Sequence, residues 1–153
     1  LAYLTIVKRK TDDLQQLDKY LSETLEICGA LNMQEYVAVV LANRSWIDWK
    51  NGRQQDATEL AEAAMENWLS HSPRYPFKWL ALMQLIDIAI SNASLDDAFE
   101  HARQLLDPAN AKLAGGVEEA LEEAVAYYAD GNTDKAASSL ATALECAKKA
   151  GYL

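Results

Sequence analysis

Cysteine, proline, glycine and histidine are all scarce in this sequence. The 153 residues contain 2 Cys, 3 Pro, 6 Gly and 2 His, which excludes collagen-like, low-complexity and disulfide-stapled architectures. Cys28 and Cys146 lie far apart with no CxxC context and read as reduced, half-buried thiols of a cytoplasmic protein. No apolar run approaches the ~18 residues that a membrane span requires. Residues 1–10 place their basic cluster after the apolar stretch, the reverse of a secretory signal, so neither membrane nor export is expected. Basic side chains are also in deficit: 14 against 23 acidic ones, a net charge of -9, which disfavours binding to nucleic acid. Lys8, Arg9 and Lys10 form the one basic cluster and read as a solvated helix end. The chain opens on Leu1 rather than Met, which reads as a piece of something larger.

Phosphate-cradling GxxxxGK and GxGxxG motifs are missing, as is GxSxG. His71 and His101 have no ligand partner at metal-binding spacing, so no metal and no cofactor are expected. Glu118, Glu119, Glu122 and Glu123 form i, i+4 pairs of like charge, which suits a solvated face near a helix start better than a carboxylate pair for catalysis. These absences argue against an enzyme.

What is present is helical periodicity. Leu14, Leu17, Leu21, Leu25 and Cys28 are spaced three and four residues apart and share one helical face. The same holds for Ala57, Leu60, Ala61, Ala64, Met65 and Trp68, and again for Ala136, Leu140, Ala143, Leu144 and Ala147. No comparable stretch alternates with period two, so the chain is expected to be all-α, with about seven helices. Short breaks at Asn51-Gly52, Ser91–Ser94 and Asp130–Asn132, with Thr133 as an N-cap, alternate with longer ones at Ser70–Pro76 and Asp107–Gly116. That rhythm is the one expected of stacked helical hairpins.

Aligned on Leu14, Ala57, Ala98 and Ala136, the sequence repeats at intervals of 43, 41 and 38 residues, with Gly52, Ala93 and Gly131 five residues before the last three. The implied units are 1–32, with most of its leading helix missing, then 33–72, 77–110 and 117–150. With Ala124, Tyr127, Gly131, Ala136 and Ala143 at signature positions, residues 120–147 resemble a tetratricopeptide repeat. Ser45, Gly52, Ala57 and Ala64 match in the second unit, and Ile86, Ala98 and Pro108 more loosely in the third. Asp48 stands where an aromatic is usual, and the period exceeds the family's 34 residues. Longer repeats of this kind are similar to helical regions of large bacterial signal-transduction ATPases, nucleotide-cyclase-linked proteins and transcriptional activators.

The resemblance implies a right-handed α-solenoid whose first helices line a concave face. Those helices supply Trp46, Trp49, Lys50, Met83, Asp87, Ile90, Val125 and Tyr128, positions that the family uses to contact an extended or helical peptide. Alternatively, Trp46 and Trp49 wedge between hairpins as packing. Trp68 and Trp79 read as packing at a hairpin junction, and Arg74-Tyr75-Pro76 as an exposed spacer. The expected function is that of a non-catalytic protein-interaction module in a bacterial cytoplasmic regulator. A homodimer through a raw N-terminal edge is a further expectation. An inducer-sensing domain and a structural linker between catalytic domains are the alternatives.

Overall fold

One turn, used six times, organises the chain. Six of the eight helices end on a turn that places a residue in the left-handed region: Asp12, Asn32, Gly52, Ala93, Gly131 and Gly151, with φ between 52° and 75°. The next residue returns its N–H to a carbonyl five positions back, as in Arg53 to Asp48 (2.9 Å) and Asn132 to Tyr127 (2.9 Å). The left-handed residue itself bonds three back, as in Gly52 to Trp49 (3.0 Å). This is the Schellman arrangement, which satisfies the last carbonyls of a helix and reverses the chain within three residues.

The computed structural model describes residues Leu1 to Leu153, with eight α-helices and no strand. They are α1 (Ala2–Lys10), α2 (Leu14–Ala30), α3 (Gln34–Lys50), α4 (Gln54–His71), α5 (Trp79–Ser91), α6 (Leu95–Leu105), α7 (Val117–Ala129) and α8 (Thr133–Lys149). The helix beyond the expected seven is α1, so the first hairpin keeps its leading helix. Its register also differs from the expected one. Leu14 is 39% exposed and Leu17 fully buried, and Leu17 stands five residues after the turn residue Asp12, as Ala57 does after Gly52. The α2–α3 junction is another three-residue turn, so short and long breaks do not alternate at this end. Asn132 rather than Thr133 caps α8, accepting from the Lys135 N–H.

Consecutive helices pack as antiparallel pairs, and α3 also lies against α1 and α5. The bonds Trp49–Asp87 and Gln54–Asn92 join residues 38 apart, which sets α3 and α5 parallel. Within the second hairpin, the Ser45 hydroxyl donates to the Ala57 carbonyl at 2.6 Å. The last hairpin is seated differently: α7 packs on α6 and α8, and the end of α8 turns back toward the start of α5.

The core follows α5, which is buried from Trp79 to Ile86 and again at Ile88 and Ala89, as expected of a helix apolar all round. Trp68 is buried and donates its indole N–H to the Glu35 carbonyl (2.9 Å). Tyr75, expected in an exposed spacer, instead stacks on Trp68 with ring centroids 5.2 Å apart. Arg9 is likewise no solvated helix end. It is 2% exposed and donates to the carbonyls of Leu80 (2.8 Å) and Tyr152 (2.9 Å), so residues 71 and 143 positions away meet at one side chain.

Candidate functional site

The eight residues expected on one concave face do not line one surface. Trp46 (1% exposed) and Met83 (0%) are interior. Trp46 packs with Leu17, Leu21 and Val40 between α2 and α3, under the Arg9 guanidinium, because α1 covers the face that the repeat pattern leaves open. Met83 belongs to the main core around α5. Neither reaches a partner without opening the structure.

Four others serve contacts between elements. Trp49 donates its indole N–H to Asp87 at 2.8 Å, tying α3 to α5. Lys50 pairs with Asp12 at 2.6 Å and stands 4.3 Å over the Trp46 ring. Tyr128 stacks on Phe99 with centroids 4.0 Å apart and donates to Asp96, which holds its phenol above the usual range and joins α7 to α6. Asp87 therefore has two roles, since its carboxylate also borders an open groove. Val125 and Ile90 are half-buried against the main core.

That groove, about 500 Å³ in volume, runs between the α5–α6 turn and α8. Ile90, Leu95 and Leu144 make it apolar, and Ala93, Ala137 and Ala141 leave it room by being small. Asp87, Glu145 and Lys148 stand among its lining residues and supply charge. Apolar walls with a few charged groups are the usual make-up of a ligand or peptide site. Sequence reasoning found Asp87 and Ile90 but missed the α8 side. Half-buried Ala137 and exposed Ala141 follow the helical period one position after Ala136 and Leu140, on the flank of that stripe and meeting it at Leu144, and that was the signal available.

A second groove, about 370 Å³, lies at the α1–α2–α3 end and is lined by Leu1, Ala2, Tyr3, Ile27, Met33 and Tyr36 together with Thr24 and Cys28. Burial, with a contribution from Glu35, pushes the Cys28 thiol up, so it is a poor nucleophile. Beside this groove Tyr3, Leu4, Val7, Ile27 and Leu31 are exposed, so the N-terminal edge is apolar even though Arg9 ties α1 down.

Of the other chemical candidates, Glu118, Glu123 and His71 have structural partners, whereas the buried His101 Nδ1 has none. Glu118 accepts the Leu113 N–H (2.8 Å) and Glu123 the Ser139 hydroxyl (3.0 Å). His71 closes α4 with Nδ1 3.0 Å from the Asn67 carbonyl, and His101 is half-buried on α6, where desolvation lowers its pKa. Both cysteines are free. No group of three or more His, Cys, Asp or Glu side chains is placed to hold a metal ion, and no helix is long and apolar enough to cross a membrane. No family model, curated protein or solved structure matches this chain.

Proposed function

We propose that this chain is a non-catalytic interaction module of a bacterial cytoplasmic regulatory protein. Its hairpins stack as a TPR-like right-handed solenoid, and it binds a peptide or a neighbouring domain in the α5–α8 groove. The groove itself carries the binding proposal: an apolar trough of small and branched side chains with Asp87 and Glu145 at its border. Two carboxylates against one Lys148, in a chain of net charge -9, favour a partner that sets basic residues beside an apolar anchor. Support for the stack comes from the repeated Schellman turn, from intervals of 40, 41 and 38 residues once Leu17 replaces Leu14, and from the contacts of α3 with both α1 and α5.

Selection of short random peptides on the purified chain tests the groove. Enriched sequences should carry Lys or Arg next to Leu, Ile or Phe. Ala141→Trp, at an exposed position, should fill the trough and weaken those peptides by at least about tenfold, while thermal unfolding stays unchanged. Peptides that bind Ala141→Trp as well as the original chain would remove the groove from the proposal.

A further inference from the structure

The chain does not trail away after α8. Gly151 makes the sixth Schellman turn, with φ +71°, and the Tyr152 N–H returns to the Ala147 carbonyl at 2.9 Å. A Cβ on Gly151 would stand 2.9 Å from the Lys10 carbonyl oxygen, so only glycine lets this strap lie flat on α1. The turn delivers Tyr152 into a seat built from three distant segments, where it is 5% exposed. Its ring meets Trp79 edge-on, centroids 4.7 Å apart, and lies 4.0 Å beneath the Lys10 ammonium. The phenol oxygen accepts the Ala114 N–H at 3.1 Å, and the backbone carbonyl accepts from Arg9 at 2.9 Å.

The seat holds two cations and no anion. Arg9 lies 5.3 Å from the ring centroids of both Trp46 and Trp79, and its Nε has no partner within the protein. Neither Arg9 nor Lys10 takes part in any of the ion pairs, whereas the neighbouring Lys8 is paired with Asp13. Desolvation pulls the Arg9 guanidinium down to about 9, so at neutral pH it is still a cation, buried against two carbonyls and two indole rings with no anion paired to it. A carboxylate there would set a negative charge against the cation and accept from Nη2 and the unpartnered Nε together, which a single carbonyl does not do.

We infer that the Tyr152 seat is a docking site for an acidic, tyrosine-bearing peptide, and that Gly151–Leu153 occupies it in cis until such a peptide displaces the strap. The tyrosine ring takes the place of Tyr152 between Trp79 and Lys10, and an adjacent Glu or Asp meets Arg9. Tethering gives the strap an effective concentration in the millimolar range, so the intact chain binds such a peptide weakly and a chain with its strap unseated binds it well. This site is separate from the α5–α8 groove and selects the opposite charge, so the two proposals stand or fall independently.

The test uses a fluorescein-labelled peptide with a Glu-Gly-Tyr-Leu-Glu core and reads fluorescence anisotropy. Gly151→Ala unseats the strap through the Lys10 clash and should bind the peptide at least about tenfold more tightly than the unaltered chain. Exchanging the peptide's Tyr for Ala, or its Glu for Gln, should weaken it by a similar factor. So should Arg9→Gln in the Gly151→Ala background. Equal binding by the two chains, equal binding of the Ala peptide, or no binding to Gly151→Ala each overturns the inference. Hydrogen exchange on the unaltered chain gives a readout that does not depend on a variant folding. Saturating peptide should remove protection from the Tyr152 amide, and protection that persists when peptide is bound would count against displacement.

Discussion

α1 and α5 both open a hairpin and both lie against α3, yet different forces keep them there. α5 presents apolar side chains on every face and is covered by α3, α4 and α6, by Arg9 and by Tyr152. α1 buries only Thr5 and Arg9, both polar, and leaves Tyr3, Leu4 and Val7 in solvent. Its attachment rests on the half-buried Ala2 and Ile6 against the main core, the edge-on Tyr3–Phe77 contact, the Asn43–Thr5 contact (3.4 Å), the Arg9 bonds and the Lys8–Asp13 pair (3.1 Å). Hydrophobic burial is non-directional and tolerates small shifts, whereas a few directed bonds to a buried cation are lost together. One repeat position can therefore be a hub in one hairpin and a detachable element in another.

The largest expected effect breaks the hub. Leu82 is fully buried on α5, and Leu82→Ala should cost about 3 kcal/mol in denaturant unfolding, with every probe reporting a single lowered midpoint. A loss below about 1 kcal/mol would mean that α5 is no hub. Next comes α1. Arg9→Ala removes the aromatic packing and both carbonyl bonds and should cost about 1–3 kcal/mol. Its signature is regional: hydrogen exchange should deprotect α1 while α5 amides keep their protection. Equal loss in both helices would erase the contrast between them.

Acid should act on the α1 side first. Asp13 accepts from Lys8 and from the Gln16 N–H that it caps, and these bonds lower its pKa below the ordinary carboxylate value. A depressed acid stabilises the fold above its unfolded pKa and loses that contribution as pH falls through the folded one. Hydrogen exchange below about pH 4 should therefore show α1 and the first turn of α2 opening before α5. Asp13→Asn should make that opening insensitive to pH. The smallest effect compares the turns that close the two helices. Ala93 holds a left-handed φ of 56° after α5, so Ala93→Gly should raise stability by about 0.5 kcal/mol. Asp12→Gly, at the matching turn after α1, should gain nothing, because Asp tolerates that region and its carboxylate holds Lys50.

Gly52 and Gly131 were readable as turn residues because glycine after an apolar stripe is a local signal, and Ala93 was placed by its offset of five residues from Ala98 in the repeat. Asp12 and Asn32 make the same turn without glycine, and so the first hairpin's register was misplaced onto Leu14. Leu105 and Leu121 follow the helical period, and both are buried. In the groove, Asp87 and Ile90 were legible from hairpin logic, but Leu144 and Ala141 come from a helix 50 residues further on, and no spacing rule joins them. Trp46 is core because α1 sets Arg9 over it, and Met83 because α5 is enclosed by α3, α4 and α6.

The residue order by itself determined the all-helical state, the positions of most breaks and the faces that turn inward within each hairpin. These depend on contacts between residues a few positions apart, which periodicity and turn chemistry record directly. Only the tertiary structure decided that Arg9 is buried, that Tyr152 sits against Trp79, and that α8 rather than α7 faces the end of α5. Those outcomes depend on how the hairpins are rotated against one another, a sum of small packing preferences across segments up to 143 residues apart that leaves no local mark in the chain.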